Sequence, residues 1–346
     1  FVIARGEQTL DDRRREVLGR VLNLQQGTVI AAPDLDSIYE VPVLLHEQEM
    51  GVKLLSVLQL EPRKDDLAAW KKFAKKITTL KKSIKVGVVG KYFSTGKFTL
   101  ADSYISVIEA AKHAGWVHNH QIQMDWINSE DFEKDPASVE RLRDYHGIIV
   151  PGGFGTRGIE GIISAITFTR ENKIPYLGLC YGMQLAAIDI ARNVCGITKA
   201  HTVEVDKDTP DPIIHINPHQ KENIANKRYG GTMRLGSYDC ALLKGSIAYK
   251  AYGFTASGVK NGEKAIISER HRHRYEFNNE YRERLEAAGV VFSGMNTESD
   301  LVEILELKDH PFFLGTQFHP EFTSRPMKGH PLFNAFVKAC VVRKED

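Results

Sequence analysis

Ile174-Pro175-Tyr176-Leu177-Gly178-Leu179-Cys180-Tyr181-Gly182-Met183-Gln184-Leu185 passes from an apolar run, through a cysteine bracketed by glycines, into a helix-forming stretch that continues to Arg192. The pattern predicts a buried strand, a tight turn and a helix. Glycines at 178 and 182 permit a sharp strand-to-helix turn that lifts the cysteine side chain above the carboxyl edge of a parallel sheet. The helix beginning there sets its positive end and free N–H groups beside the sulfur, which favours thiolate, and the Tyr181 N–H becomes a donor for an oxyanion. Taken alone, a GxCxG string also describes a buried cysteine among tightly packed glycines.

The flanking text repeats the same rhythm. Upstream, IKVGVVG (residues 84–90) reads as a buried strand, 99–114 as a helix, HGIIVPGG (146–153) as a second buried strand and 158–172 as another helix. After residue 200 shorter segments predict a mixed or antiparallel annex, followed by a last strand, FFLGTQFHP (312–320), and a closing helix over 331–341. Alternating buried strands and helices predict an α/β fold, a mostly parallel sheet flanked by helices with a small antiparallel annex. Residues 85–346 would form this domain.

Residues 1–60 hold two short apolar segments, FVIA and TVIAAP, around the charged stretch Asp11 to Arg20, then one helix-like run, VPVLLHEQEMGVKLL. That is too little for a sheet of its own. Residues 61–84 are highly charged, with Leu67, Trp70, Phe73, Ala74 and Ile77 at helical spacing, and read as an amphipathic linker helix whose lysines form a solvated face. The chain opens on apolar Phe1 to Ala4 without Met, as a strand cut from a larger protein would.

In 346 residues, 46 Lys and Arg nearly balance 44 Asp and Glu, so no overall field favours nucleic acid or an anionic membrane. The four cysteines, at 180, 195, 240 and 340, form no CxxC pair; this argues against a disulfide scaffold or structural zinc and for a reducing, cytoplasmic setting. No stretch reads as a membrane span or a signal peptide.

A cysteine that attacks a carboxamide needs a proton carrier for the departing nitrogen. His319, in Gln317-Phe318-His319-Pro320-Glu321, follows a strand and would lie on the same sheet edge as Cys180. Glu321, across a proline-stiffened turn, can fix the imidazole tautomer, giving a Cys180–His319–Glu321 triad. Alone, HPE is a common surface turn. Pro151-Gly152-Gly153-Phe154-Gly155 ends another strand, where glycines let backbone N–H groups face a developing oxyanion; a plain tight turn fits the same letters. Two strings read as decoys. GKYFSTGK (90–97) imitates a phosphate loop, but Phe98 holds the required Ser/Thr position, so an ordinary turn is predicted. ERHRHRY (269–275) alternates arginine with histidine, which repels a metal and suits an anion.

PGGFGTRG, GLCYGMQ and QFHPEF, in that order, resemble the class I (triad) glutamine amidotransferases. SIYEVPVLLHE, VGVVGKYF, ADSYISVIEAAKHAG, GGTMRLG and ERHRHRYEFNNEY narrow the resemblance to the CTP synthase family, over nearly the whole chain. The resemblance implies a flavodoxin-like amidotransferase domain with Cys180 as nucleophile, His319 as acid and base, and Glu321 as its partner. It implies an oxyanion hole from the N–H groups of Gly153 and Tyr181. Glutamine would be held by Gly152, Phe154, Gln184, Glu204 and Arg274, with Arg274 on its α-carboxylate and Glu204 near its ammonium. Thr232 and Arg234 match the lid through which GTP promotes hydrolysis. Tyr181 departs from the family, which often carries an aliphatic residue there.

Residues 1–60 resemble the carboxyl end of the family's synthetase (amidoligase) domain, with Arg5, Asp34 and Leu35 matching part of an ATP-binding surface. The phosphate loop, magnesium carboxylates and UTP site of that domain are missing. The resemblance therefore implies a glutaminase segment with no cofactor of its own and no metal. Its complete enzyme would use ATP, Mg and GTP to aminate UTP, and would assemble as a homo-tetramer and into filaments; the segment by itself would be mainly monomeric or weakly dimeric. Two other readings remain at this point: a different triad amidotransferase or γ-glutamyl hydrolase, and a non-catalytic scaffold that keeps the fold.

Overall fold

The computed structural model describes residues 1–345 apart from 26, 65, 92–93, 96–97, 100–103, 217–232 and 255–264, with backbone alone at 94–95 and 98–99. The chain forms two compact units, Phe1–Lys81 and Lys82–Asp346.

In the first unit, strands β1 (Val2–Gly6) and β2 (Val29–Pro33) pair in parallel through the crossover helix α1 (Asp12–Val21). A two-stranded sheet thus forms where none was expected, because the apolar residues of β2, buried at Val29, Ile30 and Ala31, pack beneath it. The Asp11 carboxylate caps α1 by accepting from the Arg14 N–H. The expected single run over 41–55 is two helices, α2 (Val41–Glu47) and α3 (Met50–Val57), broken at Glu49, whose φ is 56°. Helix α4 (Ala68–Thr79) buries Ala74 and Ile77, and its Trp70 Nε1 donates to the Tyr39 carbonyl at 2.9 Å. The segment expected as a linker helix thus packs within this compact unit, which ends at Lys81.

The second unit contains β3 (Ser83–Gly90), β4 (Ser94–Thr95), β5 (Phe98–Thr99), α5 (Ile105–Val117), β6 (Gln121–Asn128), α6 (Glu130–Lys134), β7 (Gly147–Val150), α7 (Ile159–Glu171), β8 (Tyr176–Leu179) and α8 (Tyr181–Asn193). Then follow β9 (Ala200–Thr202), β10 (Asp211–Ile216), β11 (Arg234–Leu242), β12 (Ala265–His273), β13 (Tyr275–Phe277), β14 (Val290–Asn296), β15 (Val302–Leu307), β16 (Phe313–Thr316) and the closing helix Pro331–Glu345. Nine strands make one sheet, in the order β12-β11-β14-β15-β16-β8-β7-β3-β6. From β16 to β6 the strands are parallel, and from β16 to β12 they are antiparallel. Within the parallel half the chain order is the flavodoxin-like 2-1-3-4-5, whose ligand crevice lies at the carboxyl ends of the strands, where the order reverses beside β3. The antiparallel annex is divided: four strands extend the main sheet, and β13-β10-β9 form a separate small one.

Strand β7 explains why the central text is apolar without interruption. Its Ile148 and Val150 pack into the layer containing α7 and α8, while Ile149 packs with α5 and the closing helix on the opposite face. Both faces are covered, so every position is buried. Edge strand β6 was not anticipated: its residues are mostly half-buried, and QIQMDWIN shows only weak alternation.

Candidate active site

Strand β8 delivers Cys180 at its carboxyl end, and α8 begins at the next residue. Cys180 adopts φ 49° and ψ −95°, a conformation costly to a residue with a Cβ, on the order of 1–3 kcal/mol. Packing holds it there. The Cys180 N–H donates to the Thr316 carbonyl of β16 at 2.6 Å, and a Cβ on Gly182 would collide with the Val150 carbonyl, so α8 can sit this close to β7 only with glycine.

Strand β16 brings the second residue to the same edge. Past Thr316 the backbone is clamped on one side by Gln317 N–H to Glu303 O, 2.9 Å, and further on by His319 N–H to Arg270 O, 2.8 Å. His319 Nδ1 and Glu321 Oε1 are 2.8 Å apart, and the imidazole stacks on Phe322 with centroids 5.0 Å apart. The carboxylate thus fixes a proton on Nδ1 and leaves the buried Nε2 without another hydrogen bond, for the adjacent Cys180 sulfur. Burial alone would lower the imidazole pKa, but interaction with the Cys180 sulfur and the Glu321 carboxylate overcomes it and raises it to about 10. His319 is therefore an imidazolium at neutral pH, ready to protonate a departing amine. Gly152 permits the approach of the third loop: a Cβ there would come within 2.9 Å of His319 Cε1 and 3.8 Å of Cys180 Cβ.

The remaining expected residues divide. Gly153 lies beside the Tyr181 ring, 3.5 Å from it to where a Cβ would stand. The Glu204 carboxylate accepts from Gly155 N–H at 2.9 Å, and both Glu204 and Arg274 act electrostatically on Tyr275, Arg274 keeping its Nε buried without a hydrogen bond. A buried guanidinium nitrogen left open in this way suits a carboxylate ligand. Gln184 is buried and donates to Tyr275 O (3.0 Å) and Gln317 Oε1 (3.1 Å), so its amide already serves the protein framework. Phe154 is 71% exposed. Arg234, matched to the lid by resemblance, is buried in β11 and paired with Glu303 at 2.8 Å and Glu276 at 3.2 Å. Thr232 lies outside the described residues. In the first unit, Arg5 and Asp34 sit at the carboxyl ends of β1 and β2 and pair loosely at 3.5 Å, with Leu35 next to them partly exposed. Among the described residues no group of His, Cys, Asp and Glu could hold a metal ion, and no helix is long and apolar enough to cross a membrane.

The residues that match the class-I glutamine amidotransferase family model run from 99 to 339, more than half of the chain and all three triad members. The chain belongs to the class-I glutamine amidotransferase family. This amidotransferase is 45% identical over 338 residues to a CTP synthase of Geobacillus kaustophilus, and 45% identical over 346 residues to one of Clostridium acetobutylicum. The matches cover 98% and 100% of this chain but 60% and 61% of those relatives, so it spans about three fifths of their length. Among solved structures it is similar to the glutaminase domain of Trypanosoma brucei CTPS with bound acivicin, at 33% identity and a TM-score of 0.67, covering 75% of this chain and 94% of that one.

Two parts of the amidotransferase site escaped the sequence reading. Gln317 Nε2 approaches Cys180 Sγ at 3.5 Å, foreshadowed only by its place two residues before His319. Lys91, expected in an ordinary turn after β3, is buried and donates to Gly155 O at 2.8 Å. The glycine-lysine pair resembled a phosphate loop and drew attention to the wrong chemistry. Within ERHRHRY, β12 alternates, with Glu269, His271 and His273 inward and Arg270 and Arg272 outward, so of its arginines only Arg274, past the strand, keeps a buried nitrogen open.

Proposed function

We propose that this chain is the ammonia-supplying part of a CTP synthase, hydrolysing L-glutamine through Cys180, His319 and Glu321. Cys180 attacks the side-chain amide carbon, and the resulting oxyanion is held by the N–H groups of Gly153 and Tyr181. His319 gives its Nε2 proton to the departing ammonia, leaving a γ-glutamyl thioester. The now neutral imidazole takes a proton from water, which attacks the thioester and releases glutamate. Gly152 and Phe154 border the substrate, with Arg274 on its α-carboxylate, Glu204 near its ammonium, and Gln184 supporting the pocket through Gln317. Ammonia then meets UTP activated at its 4-oxygen by ATP and Mg in a synthetase region, of which residues 1–60, with Arg5, Asp34 and Leu35, are the carboxyl-terminal part; 61–84 connect it to the amidotransferase domain, 85–346. GTP acts through the segment around Thr232 and Arg234, and the complete enzyme works in the cytoplasm as a homo-tetramer able to polymerise.

The observation that carries this reading is a cysteine on a strained strand-to-helix turn facing an imidazole that a carboxylate 2.8 Å away holds charged. Incubation with glutamine labelled in its side-chain amide nitrogen should release labelled ammonia. Adding UTP, ATP and Mg to the complete protein should move that label into CTP. Release without transfer, in a complete protein that still binds UTP and ATP, would favour a different amidotransferase.

A further inference from the structure

The loop Pro151 to Gly155 contains three glycines, so its own backbone does little to hold one conformation, yet an oxyanion donor must be fixed before the reaction begins. Its far end is fastened by side chains. The Gly155 carbonyl accepts two hydrogen bonds, from Lys91 Nζ at 2.8 Å and from the Tyr181 hydroxyl at 3.0 Å, which fills both lone pairs. The N–H of the same residue, at φ 81°, donates to Glu204 Oε1 at 2.9 Å. Lys91 Nζ lies 4.9 Å from the Tyr181 ring centroid, and a Cβ on Gly153 would stand 3.5 Å from that ring and 3.9 Å from Lys91 Cε. Lys91, the Tyr181 ring and Gly153 are thus packed as one cluster.

We infer that Lys91 and the Tyr181 hydroxyl are positioning residues which pin Gly155, and thereby hold the Gly153 N–H toward the oxyanion and the Glu204 carboxylate in the glutamine pocket. The inference rests on the glutaminase reading and goes beyond it, since it assigns roles to a side chain in the loop after β3 and to the phenol, not the N–H, of Tyr181. An aliphatic residue at 181 could offer the N–H but not the second donor. Burial lowers the Lys91 pKa to about 8, with Glu204 opposing, so the amine is largely protonated at neutral pH and keeps its donors. The two pins come from separate elements, the end of β3 and the first residue of α8, and they meet on one carbonyl of a third segment. That convergence makes the loop's position depend on both.

Tyr181→Phe removes one donor at nearly constant volume, and Lys91→Met removes the other. Glutamine hydrolysis and carboxamidomethylation of Cys180 by iodoacetamide should be compared in this chain, because alkylation displaces iodide and forms no oxyanion. Tyr181→Phe should lower kcat about tenfold, less than the roughly 10²–10³-fold expected for deleting an oxyanion donor outright, with KM changed less than about threefold. The alkylation rate should stay within about twofold of the unmodified chain. Lys91→Met should follow the same pattern, and the double variant should lose more than either. Unchanged kcat in Tyr181→Phe, or a kcat and an alkylation rate that fall together, would overturn the inference. An unmodified chain whose Cys180 alkylates but which releases no ammonia would instead overturn the glutaminase reading, and the inference with it.

Discussion

His319 and the pair His271–His273 are all buried, at 8%, 3% and 5% exposure, in β12 and in a segment past β16 that bonds to it at Arg270, yet their protons are held in opposite senses. Burial disfavours charge on all three. His319 overcomes it because its ring interacts with the Cys180 sulfur and the Glu321 carboxylate, and its pKa rises to about 10. His271 and His273 face each other, with Nδ1 of the first and Nε2 of the second 2.9 Å apart, and face the Arg234 guanidinium. Burial, reinforced by Arg234 and His319, pushes His271 down to about 3 and His273 well below its ordinary value. The Tyr275 carbonyl can only accept, so His273 Nδ1 is its donor at 3.2 Å, and with both rings neutral His273 Nε2 accepts from His271 Nδ1. The pair also has carboxylates nearby, Glu303 3.6 Å from His271 Nδ1 and Glu276 3.6 Å from His273 Nδ1, but Arg234 is paired with both, so the difference lies in the balance of charge around each ring. Depth is nearly the same.

The strongest way to break this comparison is to exchange roles. His319→Ala should reduce glutamine turnover on the order of 10⁶-fold, as loss of a triad base does, whereas His273→Gln should leave kcat within about tenfold and cost about 1–3 kcal/mol of stability. Comparable kinetic losses in both variants would erase the distinction. Glu321→Gln keeps shape but removes the anion behind the ring; kcat should fall on the order of 10⁴-fold and the His319 titration, followed by NMR of the ring, should move down from about 10.

The neutral pair depends on its own ion cluster. Arg234→Met would leave Glu276 and Glu303 buried without their cation, and urea unfolding should show a loss of about 3–5 kcal/mol. A loss under about 1 kcal/mol would mean that the cluster is not desolvated as described.

The smallest effect is the pH dependence, whose sign follows from the direction of each shift. His271 and His273 have folded pKa values below the unfolded one, so the unfolded chain binds more protons as pH falls below about 6.5. Stability should drop through that window toward pH 3, and His271→Gln should remove about 1–3 kcal/mol of the drop. His319 acts oppositely. Its folded pKa is raised, so its contribution is complete below about 6.5 and is lost as pH rises through about 10. An acid limb unaffected by His271→Gln would remove the neutral-pair assignment.

The sequence pointed to Cys180, His319 and Glu321 because each carries a local backbone requirement: glycines around Cys180, a proline between His319 and Glu321, and apolar strands that set both on one edge. Strand β6 was hidden because an edge strand buried on part of one face needs little pattern. Lys91 was hidden for a different reason, since its partner is a backbone carbonyl 64 residues away, and a carbonyl leaves no trace in residue identity. The ion pairs of Arg234 were hidden in the same way, since its partners, Glu276 and Glu303, come from two other strands. Likewise, the alternation of β12 separates Arg270 and Arg272 from His271 and His273, and the string ERHRHRY conceals that until the strand's inward face is known.

Trapping the acyl-enzyme tests the central claim most directly. The chain is mixed with glutamine, quenched in acid within one turnover, digested and examined by mass spectrometry. A γ-glutamyl thioester on the peptide carrying Cys180, absent in Cys180→Ala and in His319→Ala, is the expected result. Ammonia release without an adduct at Cys180, or an adduct at Cys195, Cys240 or Cys340 instead, would contradict it.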